Sequence, residues 1–146
     1  VTNSFQLNYE ARLKNWHDLR KSLENSDVKA SCLLIDDWWQ KAPLVNHYLH
    51  PNDLLNWPGP WELLVDNNYC TIARGLGMCY TLLLMNITNV EFVLANNDIG
   101  EDLALVTVDH AKYILNYYPN TVISNNLQDF KVTNKLDIAE IIKKIK

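Results

Sequence analysis

Pro51, Pro58, Gly59 and Pro60 crowd residues 44–60, removing backbone donors or fixing φ so that no long helix or strand can run through the stretch. The chain must change direction here, between one helical region before the turn and another after it. Before it, residues 5–25 carry Tyr9, Leu13, Trp16, Leu19 and Leu23 on one helical stripe with charges opposite. A second helix is expected from a cap at Ser26 or Asp27 to about Lys41, with Val28, Cys32, Ile35 and Trp39 facing the core and Pro43 ending it. Pro60 suits the first position of a short helical turn, PWELL. Asp66, Asn67 and Asn68 are good N-caps for a helix that starts near Tyr69 and reaches about Met85. Gly75 and Gly77 inside it cost helix stability unless something packs closely against them.

Beyond Met85 the apolar period shortens. Residues 90–95, 103–108 and 113–117 read as strands, with a loop at 96–101, a turn at 109–112 and a short fourth strand at 121–124. From Asp137 the pattern Ile138, Ile141, Ile142, Ile145 makes a terminal amphipathic helix. Helices followed by consecutive strands predict a single α+β domain in which N-terminal helices and a central cysteine-bearing helix pack on a small antiparallel sheet. Its parts are a helical pair at about 5–41, a core at about 42–124 and a tail helix at about 136–146.

The net charge of −4, with basic residues scattered, excludes the electrostatic footprint of a nucleic-acid binder. No apolar run approaches the roughly 18–20 residues of a membrane span, so a soluble protein is expected. Cys32, Cys70 and Cys79 form an odd set without metal-ligand spacing, which predicts a reducing, intracellular-type environment, no metal and no cofactor.

Cys70 stands at the mouth of the central helix, where a helix N-terminus favours thiolate over thiol. Other candidates are weaker. His47 and His50 have an i,i+3 spacing, but Pro51 follows and a role in loop packing is expected. Asp36 and Asp37 are expected to face solvent while Trp38 and Trp39 pack under the PGPW turn. Cys79 lies on nearly the opposite side of the helix from Cys70 and reads as core.

A cysteine helix packed on an antiparallel meander is the layout of papain-like and transglutaminase-like thiol enzymes. The chain resembles the bacterial transglutaminase-like cysteine proteinase family through Val45-Asn46, Asp53, Trp57, Pro60-Trp61-Glu62-Leu63-Leu64, Asp66, Cys70, Ala73 and Gly77-Met78. The resemblance continues through the strand from Leu103 to Val108, the turn at 109–112 and Tyr113-Ile114-Leu115-Asn116. It implies a thiol nucleophile at Cys70, a histidine at the start of the second strand and an aspartate at the end of the third. Those last two places read Leu103 and Asn116, so the triad is degraded. Cysteine hydrolysis needs an imidazole within about 3 Å of the sulfur, and leucine cannot supply one. A rescue through Cys70, His110 and Asp129 meets an obstacle, because His110 falls in a hairpin turn and even a five-residue strand spans about 16 Å.

The leading expectation is therefore a non-catalytic structural or partner-binding protein. Small size and the frequent Asn, Ile and Lys suggest a bacteriophage virion or assembly component whose partners are other protein subunits. The N-terminal helix and the Trp-rich turn would then be the contact surfaces. The alternatives are a cysteine hydrolase using Cys70 with His110, and a carbohydrate-binding module using Trp38, Trp39, Trp57 and Trp61.

Overall fold

The computed structural model describes residues 3–45, 49–118, 121–123, 127 and 130–145. Asn46, His47, Ser124 and Asp129, which the sequence reading used, lie outside the described residues.

Local capping sets most helix starts. Asn8 accepts from the Ala11 N–H at 2.9 Å and opens α1 (Tyr9–Ser22), so residues 4–6 form a separate 3-10 turn instead of joining the helix. Asp27 accepts from the Ala30 N–H at 2.7 Å and opens α2 (Val28–Gln40), as predicted. Pro60 is the first residue of α3 (Pro60–Asp66), and Asn67 ends that helix in the left-handed conformation, φ 54°. Asp66 and Asn67 therefore terminate one helix and do not start the next. The cap of α4 (Thr71–Leu84) is Cys70 itself, in an extended conformation. Asp137 caps α5 (Ile138–Lys143).

The sheet runs β4 (Thr121–Ile123), β3 (Tyr113–Tyr118), β2 (Asp102–Val108), β1 (Val90–Asn96), β5 (Lys131–Lys135), antiparallel throughout. The last of these was not foreseen. The domain is α+β, with the helices on one face of this sheet. Phe92, Ala104, Val106, Val108 and Leu115 point into the helical core, while Val93, Ala95, Leu105 and Ile114 build a smaller cluster on the far face.

The helical core is organised around α4. A Cβ on Gly75 would lie 2.7 Å from the Phe92 ring, and one on Gly77 would lie 2.5 Å from the Trp39 ring. Both glycines exchange helix propensity for close approach, the condition under which the sequence allowed them. One turn on, Thr81 Oγ1 accepts from the indole N–H groups of both Trp16 and Trp39 at 2.9 Å and donates to the Gly77 carbonyl at 2.7 Å. Thr81→Val keeps the shape but orphans two buried donors, at about 1–3 kcal/mol each. Urea titration should show that loss, and a variant as stable as the parent would contradict this role for Thr81.

On α1, the predicted stripe holds at Leu13, Trp16, Leu19 and Leu23 but not at its start. Tyr9 is half exposed, and Arg12 is buried instead, donating to the carbonyls of Leu64 and Leu7 at 2.6 Å. The guanidinium thus satisfies the Leu64 carbonyl in the last turn of α3, which has no intrahelical partner, and ties it to the N-terminal turn.

Candidate functional site

Cys70 opens onto a cleft of about 610 Å³ at the N-terminus of α4. The walls are mostly apolar, with Leu44, Leu49, Ile72 and Leu94 among them, and Asp102 is the only charged side chain among the described lining residues. The segment leading in is tied down locally: the Val45 N–H donates to the Tyr69 carbonyl at 2.7 Å, and Leu44 bridges Tyr69 in parallel. Cys70 is 9% exposed, whereas Cys32 and Cys79 are fully buried. Burial, with Asp36 adding to it, pushes the Cys32 thiol up to about 12, and burial raises Cys79 as well. Of the three thiols only Cys70 is placed to meet a reagent.

The strand facing Cys70 across the cleft is β2. Leu103 borders the cleft, but it packs with Val93, Ala95, Leu105 and Ile114 on the far face of the sheet. Strand alternation gives the helix-facing place to Ala104, which lines the cleft and belongs to the helical core. Leu103, which the resemblance aligned with the family's histidine, thus turns to the far face, and the helix-facing residue beside it, Ala104, carries a methyl group.

Asn116 completes this corner. Its φ of 65° is left-handed and breaks the regular pairing of β3, so that both Leu115 and Asn116 reach the helical side. The side-chain amide donates to the carbonyl of Thr71 at 2.9 Å and to that of Ala104 at 2.7 Å. It ties the first residue of α4 to the strand opposite. An aspartate could not make either bond, since a carboxylate only accepts.

His110 sits elsewhere. It is exposed, with φ 57°, in a turn of three successive left-handed residues from Asp109 to Ala111. The end of β2 at Val108 is already about 13 Å along the strand from Ala104, and His110 lies beyond it. Cys70 and His110 are not brought together. His50 is exposed, its Nδ1 accepting from the Asn52 N–H at 3.2 Å and its carbonyl accepting from the Trp57 indole at 2.9 Å. Among the described residues no cluster of His, Cys, Asp and Glu is arranged to hold a metal ion. Among the described residues no helix is long and apolar enough to cross a membrane.

The four tryptophans do not share a surface. Trp39 and Trp57 are core residues, Trp38 is half-buried against Phe5, and Trp61 is half exposed with its ring edge-on to Trp16. Asp37 behaves as expected, pairing with Lys41 at 3.3 Å at the surface. Asp36 does not: it is 0% exposed. Its position four residues after Cys32 on the core stripe of α2 was the signal for this.

Helices on one face of an antiparallel sheet, with a cysteine at the start of the central helix facing the second strand, define the transglutaminase-like fold. LapG of Legionella pneumophila shares it, with a TM-score of 0.72, 14% identity, and coverage of 88% of this chain and 76% of LapG. The EGTA-treated form of LapG aligns similarly, with a TM-score of 0.70, 15% identity, and coverage of 88% and 74%. No protein-family model matches the chain, and no curated protein matches it in sequence.

Proposed function

We propose that this chain is a binding protein on a cysteine-protease scaffold, holding a protein segment in the Cys70 cleft without cleaving it. LapG is a bacterial transglutaminase-like cysteine protease, and the shared fold makes this cleft the natural seat for a polypeptide. The observation that carries the reading is the double donation by Asn116 to the carbonyls of Thr71 and Ala104. Where an orienting carboxylate would accept from an imidazole, this corner presents a donor already committed to backbone, and the neighbouring side chain is the methyl of Ala104. Among the described residues that line the cleft with Cys70 there is no imidazole to take the thiol proton and return it to a leaving group.

The lining supports one kind of segment. Apolar walls with Asp102 as the one charge favour an extended peptide with apolar side chains and one Lys or Arg opposite Asp102. Its source is another protein subunit, and a bacteriophage particle is the setting that small size and residue usage suggest.

Capped peptides of sequence Ala-Leu-Lys-Leu-Ala and Ala-Leu-Glu-Leu-Ala test this directly. The lysine peptide should shift the amide resonances of Cys70, Thr71 and Ala104 saturably, the glutamate peptide should not, and both should remain intact. Cleavage that disappears in Cys70→Ala and in His110→Ala would replace this reading with the hydrolase one. Absence of any shift would remove the binding reading.

A further inference from the structure

Asp36 is a fully buried carboxylate that no chemistry at the thiol uses, yet it is wired to the floor of the cleft. Its Oδ1 accepts from the Asn116 backbone N–H at 2.8 Å, a donor that the break in β3 pairing leaves available, and from Gln40 Nε2 at 3.4 Å. Its Oδ2 has no hydrogen-bond partner among the described residues. The same Asn116 then holds Thr71, next to Cys70, and Ala104, opposite it. One carboxyl on α2 is therefore two hydrogen bonds from both walls of the cleft.

We infer that Asp36 is a proton-controlled latch on the cleft: ionised, it grips the Asn116 N–H and fixes the floor, and protonated, it loosens that grip and weakens ligand binding. This regulation rests on the cleft being the binding site. A carboxylate is a stronger acceptor than the neutral acid, so the Asn116 N–H bond is strongest in the ionised form.

Burial pushes the Asp36 carboxyl above the ordinary aspartate range, against the Asn116 N–H and the Gln40 amide. The charged and titratable groups around it are few. Cys32 and Asp37 share its helix, and Arg74 of α4 favours the ionised form, though its guanidinium is committed to the carbonyl of Ala42 and to Gln40 Oε1. From β3 the group that meets it is the neutral Asn116.

The same shift has a consequence for stability. A raised folded pKa means the native state holds the proton more tightly than the unfolded chain. This contribution to stability is fully present below the unfolded value of about 3.9 and is lost as pH rises through the folded one. Asp36→Asn should erase that decline, measured by urea unfolding across the acid range.

The deciding experiment is an NMR titration of the ligand-free protein from acid to neutral pH. The Asn116 backbone and Nδ2 resonances and the Thr71 amide should move together, with one midpoint above about 3.9, and the step should vanish in Asp36→Asn. Gln40→Met, which removes the amide that donates to Asp36 Oδ1, should move the midpoint upward, and it decides the matter if Asp36→Asn does not fold. The Ala-Leu-Lys-Leu-Ala peptide should bind several-fold more weakly below the midpoint in the parent and equally in Asp36→Asn. Still resonances at Asn116, or a step that survives Asp36→Asn, would overturn the latch. A normal step with no peptide binding at any pH would leave the latch standing and defeat the cleft reading instead.

Discussion

Gly77→Val will destabilise the fold by at least about 3 kcal/mol, with Gly77→Ala costing about 1–3 kcal/mol. On helix propensity alone, alanine should gain about 1 kcal/mol over glycine. Packing reverses the sign, because any Cβ at this position would lie 2.5 Å from two atoms of the Trp39 ring and 2.6 Å from a third. That ring cannot retreat: its indole N–H is fixed to Thr81, and Trp16, Trp38, Phe5 and Tyr69 surround it. Trp39→Leu should lose several kcal/mol alone yet recover part of the Gly77→Val loss when combined with it, a coupling that a double-mutant cycle in urea measures. A Gly77→Ala variant more stable than the parent would show that α4 and Trp39 are not in contact as described.

Ala104→His should turn Cys70 into a reactive thiol. The position lies on the helix side of β2, beside a cleft of about 610 Å³ that leaves room for an imidazole. Pairing with a histidine brings cysteine pKa values down from about 8.5 to between about 3.5 and 7.5, which raises the thiolate fraction near pH 6 by at least about tenfold. Alkylation by iodoacetamide at that pH should rise accordingly. Leu103→His should have no such effect, because its side chain belongs to the far face. Adding Asn116→Asp to Ala104→His supplies an acceptor for the imidazole but breaks the ties to Thr71 and Ala104, so reactivity should rise further while stability falls. Equal responses from the 103 and 104 variants would refute the strand phase assigned here.

That strand phase shows where the sequence stopped being legible. Helix starts were readable because Asp27 and Pro60 act through their own backbone neighbourhood. The run Leu103-Ala104-Leu105-Val106-Thr107-Val108 carries no alternation, since β2 is covered on both faces, and without alternation the inward-facing residue cannot be told from its neighbour. β5 was missed for the opposite reason: all five residues of KVTNK are exposed at the sheet edge, so no apolar signal marks it. The polar run Asp66-Asn67-Asn68 misled because the same residue types that start helices also end them in the left-handed conformation. Asp36 and Arg12 were misplaced because charge outweighed position on a buried stripe.

The central claim is that no histidine among the described residues serves Cys70 as a base, and its alkylation rate as a function of pH tests this most directly. Cys32 and Cys79 are fully buried, so iodoacetamide reports on Cys70 in the folded protein. The binding reading predicts slow reaction at neutral pH, with His110→Ala indistinguishable from the parent. Rapid alkylation well below pH ~8, lost in His110→Ala, would be the signature of a working thiolate and would contradict it.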